Sequence, residues 1–164
     1  MDIYADVVIV GTGVGGLFAA LNIEPHKKVV LITKSDMESS DSFLAQGGIC
    51  VERDDDDYES YFEDTMKAGH YENRKESVDI MIRSSREIIE DLVSYGVEFE
   101  KKDGEFAYTR EGAHSKPRIL YHEDITGQEI TSKLLERAKE RKNISIYEYT
   151  AMTDILEENG QCIG

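Results

Sequence analysis

The chain has 164 residues, of which 40% are hydrophobic and 32% charged, and its 34 acidic and 19 basic residues give a formal net charge of −15. This composition is typical of a globular protein that can bury one sizeable core. The charge repels phosphodiester backbones and anionic membranes, so we expect neither nucleic acid nor a membrane as a partner. No apolar run approaches the roughly 18–20 residues of a membrane span, and no basic leader precedes the first strand. Cys50 and Cys162 lack metal-ligand spacing, so we expect a reduced cytoplasmic protein without a metal.

The N-terminal region predicts a βαβ unit. Residues 6–10 comprise Asp6 and a continuous apolar run, which is typical of a strand buried on both faces of a parallel sheet. After a glycine-rich turn, residues 17–21 indicate a short buried helix that ends near Pro25, and residues 28–32 indicate a second buried strand. Together they make one unit of about thirty residues. Residues 34–51 are then expected to be a loop.

Two helices are predicted in the middle of the chain. Four acidic residues at 54–57 suit the N-cap and first turn of a helix over 58–68, because negative charge is favourable at a helix N-terminus. A metal site is the alternative, but the calcium-loop spacing with its Gly and distal Glu is missing. Residues 77–94 form the clearest amphipathic helix, with Gly96 placed as its C-cap. Its apolar face is predicted to comprise Val78, Met81, Ile82, Ser85, Ile88, Ile89, Leu92 and Val93.

The remaining predicted elements are a hairpin over residues 97–108 with an Asp-Gly turn, a helix over 126–141, and strands over 144–147 and 151–156. From residue 154 the pattern is a strand, an Asn-Gly turn and the opening of a return strand. An ending there leaves an unpaired sheet edge. We therefore expect a fragment that is cut within a hairpin.

Gly11, Gly13 and Gly16 match the pattern G-x-G-x-x-G. They follow a buried strand and open a helix within a βαβ unit, which is the context of a dinucleotide-binding site. Gly11 permits the tight turn, Gly13 lets the backbone approach a pyrophosphate, and Gly16 lets helix and strand pack closely. The anion then lies at the helix N-terminus.

The acid that usually binds the ribose hydroxyls is missing at the end of the second predicted strand, where Thr33 and Lys34 stand. Lys34 favours a 2′-phosphate instead, or is an ordinary solvated lysine. From these residues alone, NADP competes with FAD as the ligand.

Two later segments resemble a known family. The stretch that begins at Ser39 ends in Ala45-Gln-Gly-Gly48, and residues 109–114 read T-R-E-G-A-H, followed by R-I-L-Y-H at 118–122 and D-I-T-G at 124–127. These segments resemble, with the same spacing, the flavoprotein family of succinate dehydrogenase, fumarate reductase and L-aspartate oxidase. The resemblance spans essentially the whole chain. Lys34 also resembles the L-aspartate oxidase members, which carry lysine in place of the acid.

The resemblance implies FAD as the cofactor, with a segment like residues 39–48 lying along the flavin. The respiratory members carry a histidine bonded covalently to the flavin where this chain has Asp41, so we expect non-covalent FAD. The residues implied to contact FAD are Gly11, Thr12, Gly13, Val14, Gly15, Gly16, Lys34, Asp41, Ser42, Phe43, Leu44, Ala45, Gln46, Gly47, Gly48, Ala151 and Met152.

The resemblance also implies the residues that face the substrate. Glu111 is expected to be the catalytic, substrate-facing carboxylate and to select an α-ammonium group, because an ion pair is stronger in a dry pocket than in water. Thr109 is expected to hydrogen-bond a substrate carboxylate. Arg118 and His122 are expected to orient the loop or support FAD, with a purely structural role equally open for His122. His114 is given no role.

The fold implied is α/β, a Rossmann-like FAD-binding domain around a central parallel sheet. We expect residues 1–164 to be the N-terminal part of that domain, with the cap and C-terminal helical domains absent and the fragment itself inactive. The function implied is oxidation of L-aspartate to iminoaspartate by hydride transfer to the flavin, with oxygen or fumarate as acceptor. This reaction opens quinolinate and NAD biosynthesis, which makes quinolinate synthase a candidate partner. The alternatives are a soluble fumarate reductase or succinate dehydrogenase-type flavoprotein, and a non-catalytic nucleotide-binding module.

Overall fold

The computed structural model describes residues 2–164, which divide into two compact units. The first unit runs up to Leu44 and resumes at Thr131, and the second spans Ala45–Ile130. In chain order the elements are β1 (Val7–Val10), α1 (Val14–Leu21), β2 (Val29–Ile32), α2 (Asp41–Leu44), β3 (Ile49–Cys50), α3 (Tyr58–Ala68), α4 (Lys75–Ser94), β4 (Lys101–Lys102), β5 (Glu105–Phe106), β6 (Ile119–Leu120), α5 (Thr126–Glu140), β7 (Ile144–Tyr147), β8 (Glu157–Glu158) and β9 (Gln161–Cys162).

A three-stranded parallel sheet organises the first unit, in the order β1-β2-β7. The strand β2 lies in the middle, where its apolar residues are covered by neighbours on both sides, and Val29 and Leu31 are fully buried. The βαβ unit and the parallel sheet are therefore confirmed. The expectation that β1 is buried on both faces is wrong, because Val8 and Val10 are 58% and 53% exposed. Successive side chains of a strand point to opposite faces of the sheet, so Val8 and Val10 lie together on the face of β1 that is open to solvent.

The segment over residues 34–51 contains two short elements that the loop expectation missed. The Ser40 hydroxyl and carbonyl accept hydrogen bonds from the amides of Phe43 and Leu44, which stabilises the single turn of α2. The strand β3 forms by antiparallel pairing with β6, about seventy residues further along the chain. Neither element has the length or the periodicity that a sequence pattern needs.

Packing of α3 and α4 organises the second unit. Both helices were predicted, and α4 begins at Lys75, two residues earlier than expected. On its predicted apolar face, Met81 and Val93 are exposed, since they lie at the margins of the buried stripe. The core between the helices comprises Tyr61, Met66, Val78 and Ile82, with Cys50, Tyr58 and Phe62 packed against it. Gly96, with φ +99°, ends α4 as predicted.

Both predicted two-residue turns are present, but the strands beside them are shorter than expected. Asp103-Gly104 joins β4 to β5 and Asn159-Gly160 joins β8 to β9, and all four turn residues have positive φ, as such turns require. Residues 97–99 and 151–156 were predicted as strands and form none, because the structure gives them no strand partner.

Within residues 2–164, no helix combines the length and the apolar character needed to cross a bilayer. The same residues hold no group of three or more His, Cys, Asp or Glu side chains placed to bind a metal ion. Cys50 and Cys162 are both free thiols.

Candidate functional site

The glycine loop between β1 and α1 has the geometry that its spacing predicts. Gly11 adopts φ +106°, a conformation that favours glycine. A Cβ atom on Gly16 would lie 2.1 Å from the Gly11 carbonyl oxygen, so only glycine allows the start of α1 to pack against the loop. A Cβ atom on Gly13 would meet the Ser42 hydroxyl at 3.0 Å, so the loop is also close to the start of α2.

A cavity of about 500 Å³ lies at the carboxyl ends of the three parallel strands, and we call it the strand-end cavity. In open parallel sheets this edge is where ligands bind. Its lining includes seven of the residues expected to contact FAD: Gly11, Thr12, Gly13, Lys34, Asp41, Ala151 and Met152. Ser39 and Ser40, which also line it, belong to the segment 39–48 that was expected to lie along the flavin. The prediction did not include its other lining residues, which are Val10, Ile32, Thr33, Ser35 and Thr150. Their position at or just after the ends of β1, β2 and β7 was the available signal, because parallel strands end at the same edge.

Other residues expected to contact FAD lie beside the strand-end cavity rather than in its lining. The Val14 amide donates to the Ser42 hydroxyl at 3.2 Å, which ties α1 to α2. Phe43 and Leu44 belong to α2, and Leu44 is exposed. Gly15 lies in the first turn of α1, where a Cβ atom would meet open space.

The residues of the strand-end cavity fit a dinucleotide. The N-cap residue of α1 is Gly13, which has no side chain, and the first turn holds no acidic residue, so the positive end of the helix can stabilise an anion beside the Ser42 hydroxyl that binds the Val14 amide. The close approach at Gly16 leaves the loop backbone at the surface of the cavity, and Lys34 adds a cation to its lining. This set of groups suits a pyrophosphate with an attached nucleoside.

In the second unit, the Ala45–Gly48 segment is exposed along its length and held at both ends. The Ala45 carbonyl accepts a hydrogen bond of 3.0 Å from the Gly127 amide at the start of α5. A Cβ atom on Gly48 would lie 2.3 Å from Ile119 and from the Leu120 carbonyl, so glycine is required for the pairing of β3 with β6. The segment therefore presents backbone and small residues on a fixed base.

Glu111 lies beside this segment. A Cβ atom on Gly47 would be 3.9 Å from Glu111 Oε2, so the carboxylate and the Ala45–Gly48 backbone are neighbours. The Glu111 loop, residues 109–119, is closed by Thr109 and Ile119, which exchange backbone hydrogen bonds of 2.9 and 3.1 Å. Within the second unit, the structure thus brings together Thr109, Glu111 and the Ala45–Gly48 residues that were expected to contact flavin.

The base of the Glu111 loop rests on a buried charge cluster of Arg118, Asp57 and Asp64. The Arg118 side chain is fully buried and donates to Asp57 at 2.8 and 3.2 Å, to the Ser60 hydroxyl at 2.9 Å and to Asp64 at 2.5 Å. Asp57 stands at the N-cap position of α3 as predicted, but its carboxylate makes no cap hydrogen bond and binds Arg118 instead. Neither carboxylate was predicted as a partner of Arg118.

The cluster changes the acidity of its carboxylates. Burial alone would raise the pKa of Asp57, but hydrogen bonds from Arg118 and Ser60 outweigh it and lower the pKa to about 2. Burial also acts to raise the pKa of Asp64, and the Ser115 amide and Arg118 outweigh it and lower this pKa as well. Both groups are therefore charged at neutral pH, and they neutralise the buried guanidinium.

His114 joins the Glu111 loop to the charge cluster. Its Nδ1 lies 3.2 Å from Arg118 Nη1, and its Nε2 lies 3.3 Å from Cys50 Sγ. Burial raises the pKa of the Cys50 thiol and outweighs the hydrogen bond from Tyr61 and the charge of Arg118, which both act to lower it. Cys50 is therefore a neutral thiol in this contact.

His122 lies two residues after the end of β6. Its amide donates to the Thr126 hydroxyl at 2.9 Å, and its Nδ1 donates to the Glu98 carbonyl at 2.7 Å. These bonds join the start of α5 to the segment after α4. They agree with the loop-orienting and structural interpretations of this histidine.

Comparison with known proteins gives a consistent set of relatives. The family described as FAD binding domain matches residues 6–164. L-aspartate oxidase of Clostridium perfringens is 45% identical over 160 residues, which cover 98% of this chain and 36% of that protein. L-aspartate oxidase of Clostridium acetobutylicum is 41% identical over 165 residues, which cover 100% of this chain and 38% of that protein.

Solved structures agree with these relatives. A quinol-fumarate reductase with menaquinol molecules superposes with a TM-score of 0.90 at 27% identity, covering 99% of this chain and 29% of that chain. Mycobacterium smegmatis Sdh1 in complex with UQ1 superposes with a TM-score of 0.87 at 26% identity, covering 96% of this chain and 29% of that chain. The chain thus spans little more than a third of the length of the curated relatives described above.

Proposed function

This chain belongs to the family of FAD binding domains, and from that premise we propose that it is the FAD-binding part of an L-aspartate oxidase. The whole protein would oxidise L-aspartate to iminoaspartate. The identity of 45% to an L-aspartate oxidase along nearly the full chain supports this proposal. Because this chain spans 36% of that relative, the remaining substrate-binding groups would come from other parts of the protein.

FAD, when bound, supplies two-electron redox chemistry that amino-acid side chains lack. Its pyrophosphate would lie against the glycine loop and the N-terminus of α1, where the open helix end stabilises negative charge. Lys34 would stand where related nucleotide sites carry an acid, and Ala151 and Met152 would offer backbone to the adenine. Asp41 offers no nucleophilic imidazole, so FAD would be held without a covalent bond. The family membership favours FAD over NADP.

The position of Glu111 supports the proposal about the substrate. Its carboxylate lies beside Gly47 on the exposed Ala45–Gly48 segment, and no ion pair within residues 2–164 uses it. A free carboxylate at this position would attract the α-ammonium group of L-aspartate, and the Thr109 hydroxyl would hydrogen-bond a substrate carboxylate. A dicarboxylate without an ammonium group would gain nothing from Glu111.

The test is Glu111→Gln in the full-length, FAD-loaded protein. We expect kcat/KM for L-aspartate to fall on the order of 100-fold, because a desolvated ion pair is lost. FAD affinity and reduction of fumarate by a reduced dye should stay within about threefold, since neither involves an ammonium group. Glu24→Gln, a change at an exposed glutamate in the first unit, is the matched control and should alter none of the three. Equal loss of L-aspartate turnover and FAD binding would assign Glu111 a structural role.

A soluble fumarate reductase is the second candidate, and the TM-score of 0.90 to a quinol-fumarate reductase favours it. The same experiment separates the two. Full-length protein that reduces fumarate with a reduced dye but never oxidises L-aspartate would select the reductase. The 45% identity to an L-aspartate oxidase is the reason that we place the oxidase first.

The wider role follows from the same proposal. Oxygen or fumarate would accept the electrons, and the product would feed quinolinate and NAD synthesis. Quinolinate synthase would then be a partner, and the protein would act in the cytoplasm. Co-purification with quinolinate synthase tests the partner, and cell fractionation tests the location.

A further inference from the structure

His114 is the residue of the Glu111 loop that the proposed function leaves without a task. Its backbone amide donates to the Glu111 carbonyl at 3.0 Å, so it closes a turn of four residues that begins with Glu111. Its ring is half-buried and meets the Tyr61 ring edge-on, with a centroid separation of 6.2 Å. The histidine therefore fixes one end of the turn that carries Glu111.

The contacts of the His114 ring determine where its proton lies. The Arg118 guanidinium is always charged and only donates hydrogen bonds, so Nδ1 of His114 must accept. A proton on Nδ1 would face a buried cation at 3.2 Å without an acceptor. The hydrogen-bond geometry thus places the ring proton on Nε2, which donates to Cys50 Sγ at 3.3 Å.

The next residue strengthens the same attachment. Asp64 accepts hydrogen bonds of 2.7 Å from both the amide and the hydroxyl of Ser115, and it also binds Arg118. At the other end, the loop is closed by the backbone pair of Thr109 and Ile119. Between these two attachments the loop is exposed from residue 110 to residue 113, and Glu111 lies in that stretch.

We propose that His114 is a positioning residue that holds Glu111 beside Gly47 through its Nδ1 contact with Arg118. It would thereby set the selectivity for an ammonium-bearing dicarboxylate over a dicarboxylate without that group. The proposal rests on the proposed function, because it assigns Glu111 to the ammonium group. Arg118, Asp57 and Asp64 act through His114 and Ser115, and none of them meets the substrate.

The test compares two amide variants of the full-length, FAD-loaded protein, His114→Asn and His114→Gln. The Asn amide oxygen takes the place of Nδ1 and can accept from Arg118, whereas the Gln amide reaches the place of Nε2. The readout is the ratio of kcat/KM for L-aspartate oxidation to kcat/KM for fumarate reduction, which a general loss of folded protein leaves unchanged. We expect His114→Asn to keep this ratio within about threefold and His114→Gln to lower it by about tenfold or more. Cys50→Ala is the matched control and should leave the ratio unchanged, since Nδ1 keeps its contact.

Glu111→Gln, measured in parallel, separates the possible failures. If Glu111→Gln lowers the ratio and both His114 variants keep it, the role of His114 is overturned and the proposed function stands. If Glu111→Gln leaves L-aspartate turnover intact, the roles of Glu111 and His114 are both overturned, while the assignment as an L-aspartate oxidase stands. If the wild-type protein does not oxidise L-aspartate, the proposed function is overturned. A smaller ratio in His114→Asn than in His114→Gln would place the contact at Nε2 and overturn the proposal. If neither His114 variant binds FAD, Ser115→Ala tests the proposal instead, because this variant of an exposed residue loses one hydrogen bond to Asp64. A ratio lowered by about threefold supports the proposal, and an unchanged ratio overturns it.

Discussion

The strand-end cavity and the buried charge cluster are built from different kinds of groups. The cavity is built from backbone and small residues, with Gly11, Gly13 and Gly16 setting its shape. The charge cluster is built from long side chains, with one guanidinium fully buried between two carboxylates. The first region leaves polar groups open to a ligand, whereas the second satisfies its polar groups internally.

This difference predicts how each region responds to substitution. A backbone-built site is sensitive to added volume and tolerant of changes in charge, because its donors are amides. A buried ion pair is sensitive to the loss of one charge, because the remaining partner is left uncompensated in a low-dielectric environment. Three experiments test this contrast.

The largest effect is expected from Asp57→Asn in the charge cluster. This change keeps the shape but removes a carboxylate whose side chain is 1% exposed and leaves Arg118 under-neutralised. We expect the full-length protein to lose about 3 kcal/mol of stability. Hydrogen exchange should rise most in α3 and the Glu111 loop.

Asp55→Asn is the matched control, because Asp55 lies in the same acidic run and its side chain is 97% exposed. Its cost should stay below about 0.5 kcal/mol. Equal costs for the two variants would contradict the view that the cluster depends on buried charge.

The next effect is expected from Gly16→Ala in the glycine loop. The new methyl group would lie 2.1 Å from the Gly11 carbonyl oxygen, so α1 must move away from the loop. We expect a stability loss of about 2–3 kcal/mol and, since the pyrophosphate site moves with α1, FAD affinity lower by about tenfold or more. Thermal unfolding of the full-length apoprotein and quenching of flavin fluorescence measure the two effects.

Gly15→Ala is the control within the same helix, because a methyl group there meets open space. Alanine is also the better helix former, by up to about 1 kcal/mol. Stability should therefore stay equal or rise. A loss that matches Gly16→Ala would show that α1 tolerates a side chain at position 15 no better than at position 16.

The same contrast explains how much of the molecule the sequence could predict. Glycine spacing encodes local backbone geometry, so the glycine loop, the turn at Asp103-Gly104 and the end of α4 at Gly96 were all predictable. The long amphipathic period likewise predicted α4. These features depend on residues within one or two turns of each other.

The features that the sequence could not predict depend on distant partners. Arg118 binds carboxylates 61 and 54 residues earlier in the chain, and no local pattern marks either of them. The exposure of Val8 depends on what packs against its face of β1, and a continuous apolar run does not encode this. For the candidate site, the resemblance indicated Glu111, but the attachment of its loop through His114 required the fold.

The smallest effect is a dependence on pH that only the charge cluster should show. The pKa of Asp57 lies at about 2 in the folded protein, below its ordinary value of 3.8, so its contribution to stability is present above pH 4 and is lost as the pH falls from about 4 to 2. That difference in pKa corresponds to about 2 kcal/mol, and Asp64 changes in the same direction. Urea unfolding of the full-length protein at pH 5, 4 and 3 measures this loss.

Two variants show where this pH dependence comes from. Asp57→Asn should flatten the profile of unfolding free energy against pH, because the variant has no carboxyl group at this position to protonate. Gly16→Ala should lower the unfolding free energy at every pH and keep the slope. A wild-type slope retained in Asp57→Asn would assign the acid sensitivity to carboxylates other than Asp57.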